Sequence, residues 1–540
     1  MSLRGNLLWA FGGAILAAVA AAATLGYLLY AFPYNGLYGT DSYAYAGQSL
    51  ALLRELTGEP QPEGALFGPD GLPHWPIGYH AHLLLGRLLP PGGAAGGRLL
   101  TLALTVGAVA LTYLLTFRLG GFLSLPARAV AGLSAAGALL TAATFTRTGT
   151  SLMSDVPAMF WALLACLLIV WAWPPPDTAR AMGRSAAWAA AAGAALGMAV
   201  FVRYSSVLVA VSIAAYLAVR YLSARRRGLN SSWGDRKPIV ACAAAVVAFG
   251  LVLAPQALYL LTHEAGQESG SYFASMTPGN ILSRSSTGPD GPAAFPRTMI
   301  EFYLLSPLWD ASGGFLSGAM LPLALLGIVV LLVRRQWAGL ALVVQWWLVP
   351  AVAYATTPYQ THRYALIYYP AIVMLIGLGV ASGIEGVVRA LRRGTRWRVL
   401  ASSAIAVVAV LILAYGAVQG WRNVLNWQAT HSAWQAADDA LARAAVSVGG
   451  EGVRAVCMPA CAPLDFYASM PARDLYNNDE AALADFIRPG ATIAVFNEGN
   501  IATQWSGHEV ETRRRWLDSA YTLEQAATSG EHTVYRIVGR

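Results

Sequence analysis

Runs of about 20 apolar residues recur eleven times along this chain, and nothing else in it restricts the available folds so far. Hydrocarbon holds no water for a backbone to bond, so each run must satisfy its own N–H and C=O groups, which a single segment does only as a helix. The runs fall at 7–32, 97–117, 127–146, 156–173, 186–202, 205–221, 238–261, 314–333, 338–357, 364–384 and 399–420. Composition points the same way. Of 540 residues, 56% are hydrophobic and 12% charged, and the mean hydropathy is +0.50, a balance suited to a chain solvated largely by lipid. The expected fold class is an α-helical polytopic membrane protein. The first run has a basic start but is much longer than a signal-peptide core, so it reads as an uncleaved span.

Arginine placement orients the spans. With an internal N-terminus, the inside loops hold Arg118 and Arg128; Arg180 and Arg184; Arg225, Arg226, Arg227, Arg236 and Lys237; Arg334 and Arg335; and Arg389, Arg392, Arg393, Arg396 and Arg398. That is the positive-inside pattern, repeated loop after loop. An odd number of spans in a cell membrane then leaves the C-terminus extracytoplasmic. The net charge of +8 is a topology signal and requires no nucleic-acid partner.

The outer side is chemically the richer. All eight histidines (His74, His80, His82, His263, His362, His431, His508 and His532) fall there, as do two long loops, 33–96 and 262–313, of a length more often functional than idle. In the first loop Asp41 to Leu56 has a helical apolar pattern after Gly39-Thr40-Asp41, as expected of a helix lying along the membrane surface. Prolines 60, 62, 69, 73 and 76 exclude a long regular element after it. From 421 the chain reads as a soluble domain with 14 acids and 10 arginines. There Trp427, Trp434 and Leu441 space as one helix face leading out of the last span. Strand-like runs at 454–458, 491–496 and 533–538 alternate with helical ones at 480–487 and 510–518, which predicts a small α/β domain over 421–540 beside a transmembrane domain over 1–420. Cys457 and Cys461 are either bridged or two buried thiols, and Cys166 and Cys242 read as ordinary apolar residues of their spans.

Four short motifs occur in order: Gly39-Thr40-Asp41-Ser42-Tyr43 after the first span; His74-Trp75-Pro76-Ile77-Gly78-Tyr79 followed by Gly97-Arg98-Leu99; Arg147 to Ser154 leading into Asp155-Val156-Pro157; and Thr361-His362-Arg363-Tyr364 before Tyr369-Pro370. Over about residues 1–385 the chain resembles the GT-C-type glycosyltransferases, in particular the protein O-mannosyltransferase and lipid A aminoarabinose transferase group. The resemblance implies transfer of a sugar, hexosyl or pentosyl, from a polyprenyl-phosphate carrier to an acceptor on the non-cytoplasmic face, with a first-loop aspartate as base and generally no metal. Unlike many of that group, this chain has a single acid in its first-loop motif.

The roles follow from the chemistry as well. Displacing a polyprenyl phosphate from an anomeric carbon needs a base for the acceptor hydroxyl and cations for the departing phosphate. Asp41 suits the base, its other reading being a cap for the surface helix. Asp155 opens a span and reads either as its cap or as a second carboxylate beside Asp41. For the phosphate the candidates are Arg363 with His362 and Tyr359, then Arg203 and Arg147, since a guanidinium presents a planar fork to phosphate oxygens. Arg203 and Arg363 read equally as interfacial anchors beside tyrosines. Tyr43, His74, Trp75 and Tyr79 are candidate substrate contacts, although the histidines fit loop stabilisation better. No cofactor is expected, and a divalent metal between the carboxylates is not favoured, because no acid-rich ligand cluster is visible. The partners expected are a polyprenyl-phosphate-linked sugar, a glycan, lipid or protein acceptor, and membrane lipid. Two other classes compete. A transporter should carry mid-membrane ionisable groups and repeated halves, neither of which the sequence displays; a non-enzymatic assembly or sensor protein would have no need of Asp41.

Overall fold

A computed structural model describes residues 3–37, 39–60, 66, 76–88, 90, 93–173, 182–226, 237–262, 275–288, 291–309, 320–393, 396–450 and 452–539. The chain runs through α1 (Leu3–Ala31), α2 (Gly39–Thr57), α3 (Ile77–Leu88), α4 (Gly93–Leu119), α5 (Leu125–Leu140), α6 (Ala143–Thr150), α7 (Asp155–Ala172), α8 (Met182–Val202), α9 (Leu208–Arg226) and α10 (Lys237–Thr262). A small antiparallel hairpin, β1 (Ser285–Gly288) and β2 (Gly291–Ala294), precedes α11 (Met299–Trp309), α12 (Leu321–Val333), α13 (Trp337–Tyr354), α14 (Tyr369–Arg393) and α15 (Arg396–Gly449).

Among the described residues eight helices are long and apolar enough to cross a membrane, the bent pair α5–α6 makes a ninth, and the shorter apolar stretches Ala186–Val202 and Leu321–Val333 occupy the two remaining places. Each of the eleven expected spans therefore has its helix. The run at 127–146 is not straight: α5 and α6 meet at 68°. Threonines make the corner, because the Thr146 hydroxyl donates to the Leu140 carbonyl at 2.8 Å and takes the place of a continuing helical bond. Alternation of span direction brings the end of α1, the starts of α7, α9 and α14, and the ends of α8 and α13 to one face of the bundle.

The centre of the bundle is α14, packed against α5, α12 and α15, with Ala371 to Ile376 wholly buried. In α15 Gly416 and Gly420 form a Gly-x-x-x-Gly pair. A methyl group at Gly420 would collide with the Thr141 carbonyl, so that glycine is needed for the close approach, while one at Gly416 would meet the flexible end of Met320.

Beyond position 420 the last span's helix continues unbroken to Gly449, 54 residues in all, and delivers the chain to a five-stranded sheet. Its strands are β3 (Arg454–Met458), β4 (Ala472–Asp474), β5 (Thr492–Phe496), β6 (Thr522–Ser529) and β7 (His532–Gly539), in the order β4-β3-β5-β7-β6. The first three are mutually parallel, and β7 and β6 close the sheet antiparallel. Around it lie α16 (Cys461–Ala468), α17 (Glu480–Phe486), α18 (Glu498–Gln504) and α19 (Glu509–Ala520). The strands and helices expected at 454–458, 491–496, 533–538, 480–487 and 510–518 are all present, with β4, β6, α16 and α18 added. Of the two readings of Cys457 and Cys461 the bridge holds, their Cα atoms standing 5.3 Å apart.

Candidate active site

The turn from α1 into the surface helix α2 passes through Gly36, whose φ of +91° is a conformation open to glycine at little cost. Its carbonyl accepts from the Leu152 N–H at 2.8 Å. Arg98, of the motif Gly97-Arg98-Leu99, braces the same turn by donating to the carbonyls of Tyr34 and Thr150. Asp41 thereby starts α2 directly over the connection that leads into α7.

Four ionisable residues from four separate elements meet at this place. Arg363, in a 3₁₀ turn (His362–Ile367) between α13 and α14, contacts Asp41 at 2.5 Å and, through Nε, Asp155 at 3.9 Å. Arg203, between α8 and the Tyr204–Val207 turn, contacts Asp155 at 3.0 Å. The charges thus alternate Asp41, Arg363, Asp155, Arg203. Exposure falls along the cluster from 28% at Asp41 to 3% at Asp155, so one carboxylate faces an opening and the other closes the interior. Asp155 is the first residue of α7, where the helix dipole favours a negative charge.

Burial alone would lower the pKa of both arginines, but their carboxylates outweigh it. Asp155, followed by Tyr354, holds Arg203 above the ordinary arginine range, and Asp41 with Asp155 holds Arg363 well above it. Both side chains are permanent cations. The hydrogen bonding is nonetheless incomplete. Among the described residues neither Asp155 oxygen has a well-aligned hydrogen-bond partner, and neither does Nε of Arg363.

Tyrosines build the wall behind the cations. Arg203 lies over the Tyr364 ring, 5.4 Å from its centroid, and Tyr364 stacks on Tyr354 at 4.9 Å. The Tyr303 hydroxyl donates to the Tyr359 carbonyl and the Tyr368 hydroxyl to the Tyr303 carbonyl, while Trp346 donates to the Ile367 carbonyl at 2.8 Å. Together these bonds fix the turn that carries Arg363. On the other side the Tyr45 hydroxyl shares a 2.8 Å bond with Ser154. Tyr45 and Tyr354 were not among the residues singled out from the sequence, and Ser154 and Tyr364 entered only as motif members without a role.

Of the expected site residues, Asp41, Asp155, Arg203 and Arg363 come together. His362 packs edge-on against Phe302, 4.7 Å between centroids, and Tyr359 contributes its backbone to the wall. Arg147 lies over the Trp427 ring of α15 at 4.5 Å. His74 and Trp75 fall outside the described residues. Two of the expected substrate contacts lie apart from the ionic cluster. Tyr79 is wholly buried, bonded to Thr101 and set edge-on beneath Tyr45, so it supports α2 from behind and has no face for a sugar. Tyr43 is 3% exposed and its hydroxyl donates to Asp438 of α15 at 2.8 Å, so its ring faces the tail. The reading of His80 and His82 as loop-stabilising holds. His80 shares a bond with Gln48 and His82 accepts from Trp161, and burial holds the His80 ring down to about 4. Among the described residues no three His, Cys, Asp or Glu side chains converge as a metal site. A cavity of about 290 Å³ opens nearby between α1, α4 and Phe466, and its mostly apolar lining includes none of the four ionic residues.

The fold has solved counterparts. ArnT from Cupriavidus metallidurans in the apo state aligns over 97% of this chain and 98% of its own, with a TM-score of 0.61 at 15% sequence identity. The chain has the GT-C glycosyltransferase fold. Two further GT-C structures agree: the archaeal oligosaccharyltransferase AglB from Archaeoglobus fulgidus, with a TM-score of 0.55 at 12% identity over 98% of this chain and 74% of that one, and the mycobacterial arabinofuranosyltransferase AftD, with 0.51 at 15% identity over 97% and 40%. The family model for dolichyl-phosphate-mannose-protein mannosyltransferase matches residues 91–268, the stretch of the GT-C fold that holds Asp155 and Arg203. No curated protein sequence matches the chain.

Proposed function

We propose that this protein transfers a sugar from a polyprenyl-phosphate donor to an acceptor hydroxyl, with Asp41 as general base. The observation that carries this reading is the four-residue ionic cluster closed over one face of the bundle, with its half-open carboxylate at the mouth. The structures of ArnT bound to undecaprenyl phosphate and of AglB with a dolichol-phosphate support the donor class. The arginine-rich loops on the opposite face support an extracytoplasmic site and tail.

The donor phosphate takes donors from Arg363 and Arg203, and Arg363 turns from Asp41 toward it. Freed of its cation, Asp41 accepts the proton of the acceptor hydroxyl as that oxygen bonds to the anomeric carbon. The bond from the anomeric carbon to the phosphate oxygen breaks, and the polyprenyl phosphate leaves as an anion neutralised by the two guanidinium groups. Asp155 keeps both arginines aimed into the site, and its open acceptor capacity suits a substrate hydroxyl. Two permanent cations meet the demand for phosphate stabilisation, so the mechanism invokes no metal. Asp41→Asn keeps the shape and most of the capping ability of the side chain but loses its basicity; a positioned base is typically worth about 10² to 10⁴ in rate. The purified Asn variant should fold and insert normally while transfer falls by that factor, and near-normal turnover removes Asp41 as the base.

A further inference from the structure

Helices α15 and α16 hold the segment that carries Asp41. The Ser432 hydroxyl donates to the Pro33 carbonyl at 3.1 Å, Gln435 accepts from the Asn35 N–H at 2.5 Å, and Asn35 donates its side-chain amide to the Tyr467 hydroxyl at 2.7 Å. Two residues past Asp41, the buried Tyr43 ring stands edge-on to Phe466 and Tyr467 of α16, at 5.7 and 6.3 Å, and its hydroxyl donates to Asp438 at 2.8 Å. Leu37, Tyr43 and Ala462 belong to one buried cluster. The opposite side of the same helical turn is tied to the membrane bundle by Tyr45 and Ser154. Residues i and i+2 of a helix lie about 200° apart around its axis, so Tyr43 points to the tail while Asp41 points to Arg363. The first turn of α2 is thus gripped from two directions, and one grip comes from a domain without a catalytic motif of its own.

We propose that Asp438 is a positioning residue for Asp41, acting through the Tyr43 hydroxyl to hold the base at its distance from Arg363, so that the C-terminal domain takes part in the reaction by placing the base. This rests on the reading of Asp41 as the base. A shift of about 1 Å at a reacting group costs on the order of 10²-fold in rate, and the Tyr43–Asp438 bond stands two residues from Asp41 on the same helical turn. The grip concerns the base and not the phosphate, because Arg363 and Arg203 are seated by the tyrosine wall on the far side of the site.

The test uses the intact protein added to membranes from a source strain deleted for it, which supply donor and acceptor; free polyprenyl phosphate released is followed by mass spectrometry. Binding of undecaprenyl phosphate and hydrogen exchange of residues 39–57 are measured alongside. Tyr43→Phe and Asp438→Ala should each lower the saturated rate roughly ten- to hundredfold, hasten exchange over 39–45, and leave undecaprenyl-phosphate affinity unchanged. Asp438→Asn, which keeps an acceptor oxygen, should restore most of both rate and protection. Wild-type rate and exchange in Tyr43→Phe and Asp438→Ala overturn the proposal, as does an equal loss in all three variants together with lost undecaprenyl-phosphate binding, the mark of a merely structural contact. Asp41→Asn in the same assay separates the two readings. If it turns over normally, the base assignment fails whatever the tail variants do; if it is inactive while the tail variants are not, only the positioning role falls.

Discussion

Arginine–carboxylate pairs occur both at one face of the bundle and in the C-terminal domain, and they are assembled differently. In the C-terminal part Arg443 with Asp439, Arg513 with Glu509, and Arg515 with Glu511 are neighbours one helical turn apart, each with at least one partner well exposed to water. Such pairs are written by local sequence and contribute about 0.3–0.5 kcal/mol. In the bundle Asp41, Asp155, Arg203 and Arg363 come from four elements up to 322 residues apart and are mostly buried. Desolvating four charges is costly and bringing in distant segments to do it more so. The three local pairs are solvated surface features and the bundle cluster is the organising point of a fold, with the half-buried pair of Arg514 and Glu498, 16 residues apart, lying between these extremes; what separates them is burial and sequence distance, not pair count.

The sharpest way to break this comparison is to remove one buried partner. Arg203→Ala leaves Asp155 interior with only Arg363, at 3.9 Å, and should destabilise the protein by about 3–5 kcal/mol in thermal unfolding in detergent; adding Asp155→Ala should recover part of that loss. Recovery of nothing would mean that the two residues are not energetically coupled.

Next in size is the binding of donor phosphate. Arg363→Ala should weaken undecaprenyl-phosphate binding by roughly tenfold to hundredfold, the equivalent of about 1.5–3 kcal/mol for a charge-assisted contact, with Arg363→Lys restoring only part because an ammonium lacks the fork. Equal, wild-type-like affinity in both variants, measured in nanodiscs, would move the phosphate contact to Arg203.

A smaller effect should appear where the tail meets α2. Burial, only partly offset by the Leu66 backbone and the Arg54 charge, pushes the Asp465 carboxyl up to about 6 from 3.8. The folded state therefore holds this proton more tightly than the unfolded one, so stability falls as pH rises from about 3.8 through about 6. Asp465→Asn should flatten that slope and melt higher than wild type at neutral pH; a difference between the two proteins that is constant across the window sinks the assignment. Smallest of all, Arg443→Ala should change stability by no more than about 0.5 kcal/mol in the same melting assay.

The parts of this protein legible in its sequence are those where a single local rule dominates. A bilayer forces each span to be a long apolar helix, so eleven could be placed. Asp155, Arg203 and Arg363 showed themselves as charges where charges are expensive, at span ends. That Arg363 pairs with both Asp41 and Asp155 was not legible, since no local pattern encodes contact between residues 41 and 363. The contact of Tyr43 with Asp438 was not legible either, although helix geometry already turns Tyr43 away from Asp41. Strand β6 went unseen because an edge strand with one exposed face, Thr522-Leu523-Glu524-Gln525, carries hardly any apolar alternation.

One consequence of the 54-residue α15 is mechanical. At 1.5 Å per residue it is a rod of about 80 Å without a proline to serve as a joint, anchored in lipid at one end and leaning on Pro33 and Asn35 along its length. A tilt of about ten degrees sweeps its far end through roughly 14 Å. Because the tilt of a span is set by what it packs against, the contacts of α15 with α14 and its bonds to Pro33 and Asn35 fix together where the last span stands and where the first loop sits.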